Sequence, residues 1–314
     1  MKKVSIVIVC MNRMENLHRC LPSIAKYTTK VDYEIYVVAY LFDKENLKKL
    51  KEKYPDVIVI ESNEIRGFAE NNNLALRQVK TPLTFILTDD TEFKEPVLDK
   101  LVTSLEDTPD ATVMSPVLWN GEGKLLFSGR RKATFTAYVL SLLFKYRKKT
   151  SKYENGKGIF LTYTVSGAAF LIYTEEFRKI GFFNEKYFFC PEDVEVGHKL
   201  NSERKHCYVD ANCNIIHYEG VSSRKSRLFY ATTIAAYVGN SYFFCNNLLK
   251  RLILLLIWRY KLIQHCIAIK IKYSEHHKDY IYIYNKVYNY FKNNIKTKNI
   301  FIKEYQKIRD NILH

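Results

Sequence analysis

The sequence predicts an α/β chain, a mostly parallel central sheet with flanking helices, followed by a basic and mainly helical C-terminal region. Three observations carry this. Short β-branched and aromatic runs alternate with amphipathic stretches of about 10–15 residues, the pattern of βαβ units. Two polar clusters, Cys10-Met11-Asn12-Arg13 and Asp89-Asp90, follow directly on such runs, where parallel sheets bind ligands. The charge is lopsided: the chain carries net +16, and Val221 to His314 alone holds 17 Lys+Arg against 4 Asp+Glu.

The elements follow in order. Val4–Val9 is a β-branched run and reads as a buried strand. Glu15–Tyr27 carries Leu17, Cys20, Leu21 and Ile24 at helical spacing. Tyr33–Ala39 is a second strand. Lys44–Tyr54 is a charged amphipathic helix ended by Pro55, and Val57–Glu61 is a third strand. Phe68–Val79 reads as a helix that Thr81-Pro82 punctuates. Leu83–Leu87 is a fourth strand, followed at once by Thr88-Asp89-Asp90-Thr91. Pro96–Leu105 is a helix and Ala111–Leu118 a strand. Residues 120–160 are less regular, with Gly121, Gly123, Gly129, Gly156 and Gly158 beside the basic patches Arg130-Arg131-Lys132 and Lys145 to Lys149. They are expected to form a mobile loop over a site. Val165–Tyr173 reads as one strand, Glu175–Ile180 as a helix closed by Gly181, and Glu192 to about Arg204 as another helix. Cys207–Val209 and Asn214–His217 read as two short strands. From about Arg227 the pattern is helical, with two or more basic, aromatic-rich helices.

Composition excludes several classes. With 47% hydrophobic and 26% charged residues in 314, the chain is neither disordered nor collagen-like. Its length needs no disulfide or metal staple. Seven Cys without a CxxC pair suggest reduced, buried thiols in a cytoplasmic protein. Met1-Lys2-Lys3 before an apolar run has the look of a signal peptide, but Asn12-Arg13 interrupts the run and no small-residue cleavage site follows. The longest purely apolar run near the C-terminus, Leu252–Trp258, is far below the roughly 20 residues of a membrane span. No GxGxxG or P-loop motif occurs.

Four clusters carry chemistry. Adjacent carboxylates at a strand end, Asp89-Asp90, suit a hard divalent ion that bridges to phosphates, or form a simple polar turn. Glu192-Asp193-Val194-Glu195 follows Tyr187-Phe188-Phe189; it offers a general base beside apolar residues, or an acidic first helical turn. His217 ends a short strand, placed for a metal or a phosphate, or for a structural role. Gly67-Phe68-Ala69-Glu70-Asn71-Asn72-Asn73 opens a helix whose N-terminus suits an anion, while its three Asn equally suit local capping.

Together these clusters resemble the family 2 glycosyltransferases of GT-A (Rossmann-like) fold, in particular rhamnosyltransferase-like enzymes of bacterial surface glycans. Val4-Ser5-Ile6-Val7-Ile8-Val9-Cys10-Met11-Asn12-Arg13 is similar to the family's opening strand and Asn-Arg turn. Arg66-Gly67-Phe68-Ala69-Glu70-Asn71-Asn72-Asn73 resembles the Asn-x-Gly-Phe-Ala-x-x-Asn-Asn segment of its rhamnosyltransferase-like members, and Leu87-Thr88-Asp89-Asp90-Thr91 stands where its DxD-type metal motif lies. Val165-Ser166-Gly167-Ala168-Ala169-Phe170-Leu171-Ile172 resembles the acceptor-side strand. Gly181-Phe182-Phe183-Asn184-Glu185 through Glu192-Asp193-Val194-Glu195 resembles its Gly-x-Phe-Asp-Glu…Glu-Asp-Val-Asp element. His217-Tyr218-Glu219-Gly220-Val221-Ser222 is similar to the closing His-His-x-Gly-x-Ser segment. The resemblance covers about residues 3–225.

It implies a metal-dependent, inverting transfer of a sugar from a nucleoside-diphosphate sugar to a hydroxyl of a glycan or lipid-linked glycan. Asp90, Asp89 and His217 would hold Mn²⁺ or Mg²⁺. Cys10, Asn12, Arg13, Gly67, Asn71, Asp89 and Asp90 would face the nucleotide sugar, and Ser166, Gly167 and Ala168 the acceptor. Asp193 would be the general base, with Glu192 positioning the acceptor. The chain also departs from the pattern. Ala39-Tyr40 stands where the family has an acid after the second strand, the nearest acid being Asp43. Thr88 replaces the first Asp of an Asp-Asp-Asp run, Asn184 and Glu195 replace Asp, and Tyr218 replaces the second His.

The sequence divides into a catalytic region, residues 1–226, and a basic region, 227–314. The basic region holds Lys250-Arg251 before Leu252–Trp258 and Arg259-Tyr260-Lys261 after it, a basic amphipathic stretch suited to an anionic membrane surface. This places the enzyme on the inner face of the cell membrane; packing within the chain or in a homo-oligomer is the alternative. Two other classes compete. A nucleic-acid-binding protein would explain the charge and the interleaved Tyr, but no nucleic-acid motif accompanies them and nucleic acid is not expected as a partner. A catalytically weak nucleotide-sugar binder would explain Ala39, Asn184 and Glu195.

Overall fold

Residues 3–144, 157–218 and 228–310 are described in the computed structural model. The basic run Lys145 to Lys149, Gly156 and the segment Glu219-Gly220-Val221-Ser222 lie outside them.

The first half alternates as its hydrophobic periods dictate. Strand β1 (Val4–Cys10) leads to helix α1 (Met14–Tyr27), β2 (Tyr33–Tyr40), α2 (Lys44–Lys53), β3 (Ile58–Ser62), α3 (Phe68–Leu76) and β4 (Leu83–Thr88). Then come β5 (Thr91–Phe93), α4 (Val97–Asp107), β6 (Ala111–Trp119), β7 (Gly129–Arg130) and α5 (Phe135–Leu143). Next are β8 (Ile159–Thr162), β9 (Thr164–Val165), β10 (Ala169–Tyr173), α6 (Thr174–Lys179), α7 (Glu192–Ser202) and β11 (His206–His217). Four helices follow: α8 (Leu228–Phe244), α9 (Leu248–Ile271), α10 (Glu275–Lys292) and α11 (Thr297–Asp310).

The main sheet has the order β3-β2-β1-β4-β10-β6-β11-β5, with β8 on β11. Strands β1 to β4 pair in parallel, while β10 runs antiparallel to both β4 and β6. Period-two alternation supplies both faces. Val4, Ile6, Ile8 and Cys10 of β1 enter one core with Leu17, Cys20, Leu21 and Ile24 of α1. Val7 enters the other with Ala75 and Leu76 of α3 and Phe177 of α6. Each fully buried Val, Leu, Ile or Phe contributes roughly 1.5–3 kcal/mol, so the doubly covered sheet is a rigid base for the loops at its edge.

Three expectations change. Val165–Tyr173 is not one strand: Ser166 N turns to donate to Ser128 O (2.8 Å), so β9 joins β7 in a separate two-stranded sheet and only β10 enters the main one. The two short strands at 207–209 and 214–217 are one strand, β11, with a register shift between Asp210 and Asn214. Within 120–160, β7, α5 and β8 are ordered elements instead of a continuous loop.

The chain folds as two bodies. The first holds the sheets, α1 to α4, α6 and α7. The second holds α5, α8 to α11 and the segment Glu185–Pro191, so no single cut at residue 226 separates them. The second body has its own core around Trp258, Ile283, Val287 and Phe291. Trp258 Nε1 donates to Ser241 Oγ (3.0 Å), and Tyr282 and Tyr290 both donate to Glu304. Thr297 Oγ1 donates to Lys186 O (2.8 Å) and accepts from Phe188 N (2.9 Å), fixing the 185–191 segment in this body. The short apolar run Leu252–Trp258 is part of a longer apolar helix. Arg259, Lys261 and Lys270 interrupt the run but not the helix, and α9 is long enough, with a most apolar 18-residue stretch at mean hydropathy 1.6, to meet the requirement of a membrane span by length and composition.

Candidate active site

Strands β1, β4 and β11 end at one edge of the first body and bring the acidic pair to a histidine. The antiparallel β11–β5 register sets His217 opposite Thr91, one residue beyond Asp90. Tyr218 N donates to Asp90 O (2.9 Å), and Tyr218 Oη donates to Glu92 Oε2 (2.6 Å) with the Arg19 guanidinium over its ring. Tyr218, the departure from the paired histidines, thus clamps the strand end that carries His217. The result is a contact of 3.2 Å between His217 Nε2 and Asp90 Oδ1, with Asp90 buried and His217 partly buried.

The two carboxylates have opposite environments. Burial would raise Asp90, but the hydrogen bond and charge of His217, with Thr88, hold it below the usual carboxylate range. Burial and then the charge of Asp90 push Asp89 up to about 6, against the pull of Cys10, Asn16 and Arg13. Asn16 Nδ2 donates to Asp89 Oδ2 (3.2 Å), while its Oδ1 is buried with no protein hydrogen bond among the described residues. Cys10 ends β1 beside this pair; burial and then Asp89 push its thiol far up, and it donates to Arg13 O (3.5 Å).

This geometry has a stability consequence. A carboxyl raised in the fold favours the folded state at low pH, and that advantage is lost as pH rises from about 4 through about 6. Forcing Asp89 to ionise therefore costs on the order of 3 kcal/mol at neutral pH. Asp89→Asn is expected to raise the Tm of the metal-free protein at pH 7.5 by several degrees, at ~2–4 °C per kcal/mol. The gain should shrink at pH 4.5. Calorimetric scans of both proteins at the two pH values check it, and no gain at pH 7.5 would contradict this electrostatic assignment.

Thr88, at the end of β4, donates from its backbone N to Ala168 O (2.9 Å), which seats the 166–168 loop beside the acidic pair. A Cβ on Gly167 would meet Phe68 Cζ at 3.6 Å and Asp193 Cβ at 3.7 Å, so this glycine lies between the α3 entry and the α7 entry. Helix α7 is docked closely. Thr164 Oγ1 donates to Asp193 O (2.7 Å), Asn201 Nδ2 donates to Tyr163 O (2.8 Å), and a Cβ on Gly197 would strike Thr164 Cβ at 2.4 Å. Asp193 Oδ1 accepts from Val194 N (2.7 Å), and its Oδ2 lies 3.8 Å from Arg130 Nη2. Glu192 is buried beside it. Asn184 Nδ2 donates to Glu195 Oε1 (2.7 Å). The two departures from Asp face each other, and an amide there avoids the repulsion of two carboxylates at that distance.

The other expected residues have protein partners of their own. Asn12 Nδ2 donates to Asp43 Oδ2 (2.8 Å), and Asp43 caps α2 through Asn46 N (2.7 Å). An acid is thereby fixed beside the Asn-Arg turn although Ala39-Tyr40 lacks one. Asn71 is committed within its own turn, accepting from Ser62 Oγ and donating to Arg66 O and Gly67 O. Gly67 N is occupied by Glu70 Oε2 (3.1 Å), so a carboxylate stands where an anion was expected. Asn73 bonds Phe183 O and N across to the segment after α6. Sequence reading missed Asn16, Arg130 and Thr164 as site residues. A polar residue on the apolar face of the first helix was the available signal for Asn16; Arg130 was visible only as part of a basic patch.

The sequence profile described as "Glycosyl transferase family 2" matches residues 5–172, more than half of the chain. The chain belongs to this family. This glycosyltransferase has a GT-A fold, similar to that of two solved structures. One is GalNAc-T7 with UDP, GalNAc and Mn²⁺, at TM-score 0.56 and 18% identity over 71% of this chain and 44% of that one. The other is the mannosyltransferase PcManGT of Pyrobaculum calidifontis in complex with GDP-Man and Mn²⁺, at TM-score 0.54 and 12% identity over 91% and 84%. A curated relative is the O-antigen biosynthesis protein RfbC of Myxococcus xanthus, 24% identical over 235 residues. That match takes in 71% of the glycosyltransferase chain but spans only 18% of the relative.

Proposed function

We propose that this glycosyltransferase moves a sugar, with inversion, from a nucleoside-diphosphate donor to a hydroxyl of a growing surface glycan, in a reaction that needs a divalent cation. The observation that carries the reading is the Asp89–Asp90–His217 cluster at the edge that also presents Asp193. The donor set fits such an ion. Asp90 and His217 offer an oxygen and a nitrogen 3.2 Å apart, and Asn16 Oδ1 adds a buried oxygen beside Asp89. No group of three His, Cys, Asp or Glu encloses a metal among the described residues. Protein ligands of this number leave coordination positions for substrate phosphates, the usual habit of Mg²⁺ and of Mn²⁺ in oxygen-rich sites.

When bound, the cation would neutralise charge developing on the departing nucleoside diphosphate. Asp90, ionised because of His217, and Asp89 would hold it. Asn12, Arg13 and Asp43 line the turn beside these residues and would meet the nucleotide. Asp193 accepts the proton of the attacking hydroxyl. Arg130 and Val194 N orient its carboxylate, and Glu192 with the Ser166, Gly167 and Ala168 loop positions the acceptor. The O-antigen relative and the notably basic C-terminal region favour a lipid-linked acceptor. They also favour a peripheral location of residues 227–314 on the cytoplasmic leaflet.

A screen of UDP-, dTDP- and GDP-sugars with Mn²⁺ or Mg²⁺ tests this. One donor class is expected to be cleaved to nucleoside diphosphate in the presence of metal, with EDTA reducing the rate at least about a hundredfold. Metal-independent turnover would overturn the role given to the acidic cluster.

A further inference from the structure

One face of α9 is apolar and uncovered. Leu252, Leu256, Tyr260, Ile263, Ile267 and Ile271 recur at steps of three and four and are each between 48% and 82% exposed. At about 100° per residue they fall on one side of the helix. Arg259 and Lys270 are exposed on the same side, while Leu254, Ile257 and Trp258 on the other are buried in the helical core. A soluble chain rarely exposes so continuous a stripe without a partner.

We propose that this face seats the protein on an anionic lipid bilayer, with α9 lying in the plane of the interface. The inference rests on the peripheral location proposed above and names the surface responsible. Charge selects this occupant. Val221 to His314 carries 17 Lys+Arg against 4 Asp+Glu, complementary to acidic headgroups. Leu and Ile enter the acyl boundary, Tyr260 sits at its polar edge, and Arg259 and Lys270 reach the phosphates along their apolar stems. A second copy pairing through the same face would bring Arg259 and Lys270 against the partner's like charges. A membrane span is opposed by α10, which packs along α9 and carries Glu275, Lys278, Asp279, Lys286 and Lys292. Lipid around α9 would require those groups in hydrocarbon.

The test uses the full chain and vesicles of phosphatidylcholine with or without about a third phosphatidylglycerol, at low salt. Sedimentation with the anionic vesicles only is expected. The double variant Leu256→Ser with Ile263→Ser should bind at least about tenfold more weakly, with its melting curve and nucleoside-diphosphate release unchanged. Tyr260→Trp should show emission quenched by brominated acyl chains. Absence of binding by the intact chain would overturn both this surface and the peripheral location. Binding undiminished in the double variant would overturn the α9 face alone. Lipid-free dimerisation abolished by the double variant would assign the face to a second copy and overturn the proposal. Failure of donor cleavage with vesicle binding intact would strike the transfer reading and leave this surface standing.

Discussion

Asp193→Asn is expected to lower the transfer rate about a thousandfold while leaving donor affinity within about twofold. The substitution is nearly isosteric, and the amide oxygen still accepts from Val194 N, the bond that orients the side chain at the start of α7. What it removes is the basic oxygen that faces Arg130 at 3.8 Å. A carboxylate in the first turn of a helix contributes only about 0.3–1 kcal/mol to stability, so the variant should fold. Initial rates at saturating donor and acceptor, with donor binding by calorimetry, separate the two effects. Full transfer activity would remove Asp193 from the role of base. Loss of donor binding in step with rate would make it a binding residue instead.

The second large effect belongs to Asp90. Asp90→Asn keeps the shape of the side chain that meets His217 but removes the carboxylate charge that His217 and Thr88 hold ionised. Metal-dependent donor binding should weaken by about a hundredfold or more, in line with the several kcal/mol a bound cation supplies to phosphate chemistry. Transfer should fall at least as far. In the parent enzyme Asp90 is held below the usual carboxylate range, so of the two carboxylates it is Asp89 that contributes to the acid limb of metal affinity. With a carboxyl near 6, Asp89 gains charge as pH rises, and affinity for Mn²⁺ should strengthen from pH 5 to pH 7 and then level. Titration of Mn²⁺ by electron paramagnetic resonance in both proteins checks the pair of expectations. Unchanged affinity in Asp90→Asn would move the metal elsewhere.

Much of this site was legible because parallel strands bring their carboxyl ends to one edge, and the Asn-Arg turn and Asp89-Asp90 each follow a strand directly. His217 was legible by position, but its partner was not. The contact with Asp90 depends on β5, a three-residue strand too short to leave a period, and on the antiparallel register it imposes. The break in Val165–Tyr173 was hidden because apolar residues continue through a turn that a Ser128–Ser166 hydrogen bond creates. Helix α5 lies in a stretch whose glycines and basic patches suggested a loop, and packing against α9 decides its conformation. The three Asn of 71–73 admitted an anion-binding or a structural reading. Their amides bond Arg66 O, Gly67 O, Phe68 O and Phe183 O, long- and short-range partners that spacing alone cannot specify. The net charge alone admits a nucleic-acid partner as well as a lipid one; what the sequence adds is that the charge is concentrated after residue 220, apart from every acidic cluster of the site.

The central claim is that Asp193 acts as a base on the acceptor while the acidic cluster holds the departing diphosphate, which requires a single displacement at the anomeric carbon. The anomeric configuration of the first product, read by proton NMR before mutarotation or further transfer, tests it most directly. The account predicts the configuration opposite to that of the donor, formed only with divalent metal present. A product that retains the donor configuration would contradict it.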